Sequence, residues 1–149
     1  MTTYQKKHKR VGCLPYHFDN NGVLKLLFMK PSDPKYGGSM FQLCKGKIDH
    51  KDEPLEETAK REAEEELGLT VNNISNFRFL FSEVAHHASG RKTLIHLFTA
   101  RVLDPDNLVP FHYETGEIVW YEADKAVDNI RKCHRPLVSM AIEKILMEL

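Results

Sequence analysis

The segment Arg61-Glu62-Ala63-Glu64-Glu65-Glu66-Leu67-Gly68 sets an arginine and four glutamates within eight residues and then stops at a glycine. Upstream, Leu55, Ala59, Ala63 and Leu67 recur every four residues, which predicts a helix with an apolar stripe turned to a core. Glu53-Pro54 marks its start, because proline is tolerated where the first N–H groups have no helical partner. Gly68 falls where a left-handed residue would end it. Acidic Glu56 and Glu57 suit the positive end of the helix dipole. Glu56–Lys60 and Glu57–Arg61 are i, i+4 pairs. On such a helix Glu65 and Glu66 lie roughly 60° and 40° either side of Glu62. Three like charges on one side disfavour the helix unless something positive lies between them, and a hard divalent cation with oxygen ligands would supply that charge. Glu56, Glu57, Lys60 and Glu64 already provide a solvent face, with Glu64 roughly 160° around from Glu62.

Strand signals surround this helix. Val11–Phe18 and Val23–Lys30 flank Asp19-Asn20-Asn21-Gly22 and read as a β-hairpin. Pro31–Ser39, with two prolines and two glycines, reads as a loop, and Met40–Leu43 as a short strand. Phe77–Val84, Thr93–Val102 and Glu117–Tyr121 are further strand candidates. Ala123–Arg131 and Pro136–Leu149 are expected helices, the second with Leu137, Ala141 and Ile145 on one face. The order strands, helix, strands, helices predicts an α/β (α+β) fold, a sheet with helices packed on it.

At 149 residues the chain is expected to form one domain, residues 1–149, with 1–10 a flexible basic tail. Lys plus Arg equals Asp plus Glu at 21 each, so no global field recruits nucleic acid or an anionic membrane. Cys13, Cys44 and Cys133 are odd in number and widely spaced, which argues against a disulfide framework or zinc site and for buried thiols in a reducing cytoplasm. No apolar run approaches the length of a signal or membrane segment.

The segment Gly46–Leu69 resembles the Nudix box, G-x5-E-x7-R-E-U-x-E-E-x-G-U with U aliphatic. Glu53, Arg61, Glu62, Ala63, Glu65, Glu66, Gly68 and Leu69 fall in register. One departure is that six residues, not five, separate Gly46 from Glu53, which leaves open whether the carbonyl of Gly46 or of Lys47 joins the site. Lys45-Gly46 is similar to the family's PKG approach, with Cys44 in place of proline, and Glu117-Ile118-Val119-Trp120 to its E-x-x-W segment. The resemblance implies the Nudix fold, an α/β/α sandwich with a mixed sheet and a loop–helix–loop box. Length and loop style are also similar to the small Nudix hydrolases of T-even-like bacteriophages, which would place the chain in a host cytoplasm.

By resemblance, Glu62, Glu65 and Glu66 are ligands of Mg2+, or of Mn2+ in its place, with the carbonyl of Gly46. Glu53 acts in the outer shell or on a second metal. Arg61 orients a box glutamate by a bidentate contact, or else serves only as a helix partner of Glu57. The catalytic set is then Glu65, Glu66 and Arg61, with the general base either a box glutamate or one from elsewhere: Glu114, Glu117, Glu83 or His87. Tyr36, Phe41 and Tyr113 are candidates to stack on a nucleobase, and Trp120 to pack in the core. The implied activity is pyrophosphohydrolysis of a nucleoside diphosphate linked to another moiety, with ADP-ribose, diadenosine polyphosphates or FAD foremost. The alternatives are an RNA 5′-pyrophosphohydrolase, an enzyme sanitising oxidised nucleotides, and a binding module without catalysis. The expected partner is a small nucleotide rather than a nucleic acid or membrane, and a homodimer is allowed.

Overall fold

The computed structural model describes residues 9–48, 53–110 and 113–149; the expected basic tail lies outside them up to residue 8. Lys9 and Arg10 are not tail but the first residues of strand β1 (Lys9–Phe18). Strand β2 (Leu24–Pro31) returns antiparallel to it, with Tyr16 opposite Leu26. The turn between them is set by Asp19, whose carboxylate accepts the N–H groups of Asn21 and Val23 at 2.8 and 3.0 Å. Strand β3 (Cys44–Gly46), helix α1 (Leu55–Leu67), strands β4 (Ile74–His86), β5 (Lys92–Val102) and β6 (Thr115–Glu122), helix α2 (Ala123–Ala126) and helix α3 (Arg135–Met147) follow in order.

The sheet is mixed. Its strand order is β4-β5-β1-β2-β6, with β3 pairing β1 off that path. Among the named strands of the described residues, only β1 and β5 pair in parallel, joined in register from Lys9 opposite Leu94 to Tyr16 opposite Arg101. Both faces of β1 are covered, which is why Val11 to Tyr16 are buried without a break. Leu14 and Tyr16 enter one core with Leu26, Phe28, Leu97 and the α3 residues Leu137, Val138, Ala141 and Ile145. Cys13, Leu27 and Met29 enter the other with Ala63 and Leu67 of α1, beside a patch of Val11, Ala59 and Phe98. The result is a sheet sandwiched between α1 and α3, as the family resemblance implies.

Two expected elements shift. Met40–Leu43 is not the strand: Phe41 and Gln42 make only isolated bridges, to Ile130 and Met29, and continuous pairing with β1 starts at Cys44. The Ala123–Arg131 helix is cut to one turn at Ala126, followed by a 3-10 turn over Val127–Asn129. Ile130 then turns extended and is fully buried, so its packing overrides continuation of the helix. Among the described residues no helix is long and apolar enough to cross a membrane. The three cysteines are free thiols, Cys13 and Cys44 buried and facing each other across β1 and β3.

Candidate active site

Helix α1 begins after Pro54, which holds an extended conformation (φ −60°, ψ 141°), and ends at Gly68 in the left-handed region (φ 72°). The N–H groups of Gly68 and Leu69 close the end on Glu64 and Ala63 carbonyls at 3.1 and 3.2 Å. Ala59, Ala63 and Leu67 pack down, Leu55 is half-buried, and Glu64 is exposed. That orientation carries Glu62, Glu65 and Glu66 to the side of the helix beside β3. Glu62 and Glu66 are buried, with 8% and 9% of their surface exposed, while Glu65 is half-buried.

Arg61 organises the carboxylates. Its Nη1 donates to Glu62 Oε2 at 2.8 Å and lies 3.9 Å from Glu65 Oε2. Its Nη2 donates to Glu53 Oε1 at 3.1 Å and to the Lys47 carbonyl at 3.3 Å. The guanidinium is therefore shared between two glutamates instead of gripping one with both nitrogens. Thr58 Oγ1 donates to the same Glu53 oxygen at 2.5 Å. Lys60 takes the solvent-side carboxylates, at 3.3 Å from Glu56 and 3.9 Å from Glu57.

Gly46 is pressed against the helix. A Cβ at this position would fall on the Glu62 carboxyl group, so no side chain is compatible with the present approach. Of the two carbonyls left open by the extra loop residue, that of Lys47 is occupied by Arg61, and Gly46 is the residue seated on Glu62. Positions 49–52 of that loop lie outside the described residues.

Glu66 sits in an unfavourable place for a carboxylate. Burial, and then the charge of Glu62, push its carboxyl up to about 8, opposed by Lys45 and by hydrogen bonds from Cys44 and the Lys45 backbone. Its Oε1 is buried with no hydrogen-bond partner among the described residues. Such an oxygen, next to a second buried carboxylate and a backbone segment, suits a hard cation with oxygen ligands. The side chains do not close the site alone: among the described residues no three acidic, histidine or cysteine side chains stand close enough to enclose a metal. Two carboxylates, a carbonyl and water would complete such a shell, since magnesium keeps several waters.

The glutamates open on a cleft of about 1250 Å³, whose walls include Gly46, Arg61, Glu62, Glu65, Glu66, His87 and Glu114. Glu117 does not share it: on β6 it stands opposite Lys30 of β2, with which it pairs at 3.5 Å. Glu83 is on β4, its carboxylate accepting the N–H of Val84, and is likewise not part of the cleft wall. His87 Nε2 is 2.9 Å from Thr93 Oγ1. Tyr36 and Tyr113 line the cleft with exposed rings, whereas Phe41 packs edge-on against Tyr121 under Lys30. Trp120 packs against the α1-side core and donates Nε1–H to the Pro105 carbonyl at 3.1 Å.

Sequence reading did not single out the rest of the cleft wall as part of the site. Arg10, Gln42, Lys45, Arg91 and Arg131 arrive there from separate segments. Lys45 is the one with a local signal, being next to Gly46. Gln42 is buried, donating to the Gly37 carbonyl at 2.7 Å, and its Oε1 accepts from Lys45 Nζ and Arg131 Nη1, each at 3.3 Å.

The NUDIX domain family model matches residues 6–140. No curated protein matches the chain. Among solved structures, the chain is similar to a C. elegans Ap4A hydrolase in a binary complex, at 19% identity and TM-score 0.72, covering 95% of this chain and 99% of that one. It is similar to the NUDIX domain of Shewanella oneidensis NrtR complexed with ADP ribose, at 18% identity and TM-score 0.76, covering 97% and 99%. A third similar structure is S. oneidensis NrtR complexed with a 27mer DNA, at 17% identity and TM-score 0.69, covering 93% of this chain and 62% of that one.

Proposed function

Because the chain belongs to the Nudix family, hydrolases of phosphorus anhydride bonds, we propose that its cleft cleaves a nucleoside diphosphate linked to another moiety, with magnesium or manganese as the metal. The observation that carries the reading is the buried Glu62–Glu66 pair, with an unpartnered oxygen on Glu66, against the bare backbone of Gly46. ADP-ribose, diadenosine polyphosphates and FAD are the substrates of choice. The similar solved structures, an Ap4A hydrolase and a NUDIX domain complexed with ADP ribose, support the first two.

In this reading Glu62, Glu66 and the Gly46 carbonyl hold the metal, with Glu65 completing the set from the cleft side. When bound, the divalent ion neutralises phosphate charge and lowers the pKa of a coordinated water toward neutrality. Arg61 acts as a positioning residue, holding Glu62 and Glu53 at fixed angles through its shared guanidinium. Thr58 fixes Glu53 from below. Glu114, on the cleft wall, and Glu65, half-exposed on the helix, are the two carboxylates placed to take a proton from the attacking water. Tyr36 and Tyr113 offer rings for a nucleobase.

Glu66→Gln keeps the shape of the side chain and removes its charge. Turnover should fall by about a hundredfold or more, beyond the 10–100-fold typical of losing an outer-shell partner, while the thermal midpoint holds or rises as a buried charge is removed. Near-wild-type rates for both Glu65→Gln and Glu66→Gln in saturating magnesium would contradict the assignment.

A further inference from the structure

One group of side chains has no part in the hydrolytic reading. Arg10 of β1, Lys45 of β3, Arg91 before β5 and Arg131 after α2 all line the cleft on which the glutamates open. They stand close together. Burial, and then the charge of Arg91, hold the Arg10 guanidinium below its usual range. Lys45 and Arg131 share the single oxygen of Gln42, a neutral acceptor that cannot offset two positive charges. None of the four forms an ion pair with a carboxylate among the described residues.

Four cations lining one cleft with no ion-paired carboxylate repel one another, and an anion between them relieves the repulsion. Arginine forks match phosphate oxygens in pairs. The negative charge of one diphosphate is answered on the α1 side by the metal-binding glutamates and their cation. A compound with only two phosphates therefore brings too little anionic charge to engage both walls. We propose that Arg10, Lys45, Arg91 and Arg131 form a subsite for phosphoryl groups beyond the cleaved anhydride, so that the cleft favours small nucleotides bridged by three or more phosphates over ADP-ribose and FAD. Lys45 joins the two halves: it lies next to Gly46 in sequence, interacts with Glu66, and shares Gln42 with Arg131. This rests on the hydrolytic reading and names the substrate class for the same site.

The test compares kcat/KM for diadenosine tetraphosphate and ADP-ribose in the wild type and in the Arg91→Gln/Arg131→Gln double variant, with Arg101→Gln, on the far strand β5 end, as control. The tetraphosphate-to-ADP-ribose ratio should fall at least about tenfold in the double variant, mainly through KM, as paired charge-assisted contacts are lost, and should hold in Arg101→Gln. An unchanged ratio, or an equal loss on both substrates, overturns the proposal. Calorimetric titration with inorganic tripolyphosphate separates this from the hydrolytic reading. If the wild type cleaves neither compound, that reading fails, while tripolyphosphate binding that is lost in the double variant still supports the subsite. Tripolyphosphate binding equal in both proteins overturns it. Triphosphate-ended RNA cleaved in preference to the dinucleotide overturns the assignment to small nucleotides.

Discussion

Gly46 and Glu62 meet where one methyl group decides the geometry. The backbone of β3 lies directly on the carboxyl group, and Arg61 holds that carboxyl from the other side at 2.8 Å. Gly46→Ala should therefore displace Glu62 and lower turnover by about 10–100-fold, the range seen when support of a metal ligand is lost. The displacement is of one side chain at the cleft, so near-native circular dichroism should accompany the loss. Full activity in Gly46→Ala would show that the close approach has no bearing on the reaction. The identity of these residues is legible in the sequence because the box fixes them by spacing. Their burial is not legible: nothing local says that Glu62 and Glu66 are covered while Glu65, between them in sequence, stays half-exposed. That difference comes from β3 lying against one side of the helix.

Helix α1 carries its instructions within itself. Proline before it, the left-handed Gly68 after it and a four-residue apolar repeat are all local signals, and each is realised in the structure. Leu67 is fully buried with Cys13, Leu27, Met29 and Cys44. Leu67→Ala should cost about 2–5 kcal/mol in urea unfolding, as large-to-small core changes do. Leu146→Ala on α3, a half-exposed position, should stay within about 0.5 kcal/mol. Equal losses would mean that α1 is not anchored by its apolar stripe. Elements defined by remote partners were harder to read. The strand falls at Cys44–Gly46 instead of Met40–Leu43 because β1, more than 25 residues upstream, offers its pairing register there. Helix α2 stops early because Ile130 is needed in the core beside Leu43 and Leu137.

Across the whole molecule, the sheet brings together residues that share no sequence signal. Glu114 and Glu117 are three positions apart, yet only Glu114 reaches the cleft, because β6 registers Glu117 against Lys30. Arg10, Arg91 and Arg131 reach one cleft from β1, the start of β5 and the turn after α2, a placement invisible to any local pattern. His134 shows the same long reach. Fully buried, it accepts the Leu43 N–H at Nδ1 from 91 residues away. Burial, and then the charges of Lys45, Arg131 and His87, hold its imidazole well below the usual range. The neutral ring is thus favoured in the folded chain, and its contribution to stability is present above the unfolded value of about 6.5. As pH falls below that value, the unfolded chain takes up a proton that the native one refuses. Stability should decline by up to about 1.4 kcal/mol per pH unit from this one group. His134→Gln, which keeps an acceptor for Leu43, should flatten the decline between pH 7 and 5.5 in urea melts; an unchanged slope would locate the sensitivity elsewhere. The proposed reaction of the cleft is hydrolysis of a phosphorus anhydride by water between its two walls. Its most direct measurement is a panel of ADP-ribose, diadenosine polyphosphates and FAD incubated with the protein and magnesium in oxygen-18 water, with products weighed by mass spectrometry. The expected result is a mononucleotide and a second phosphorylated product, one of them carrying a single labelled oxygen, and no label above background with Glu66→Gln. Intact substrates throughout the panel, with the wild-type protein folded and metal bound, would contradict it.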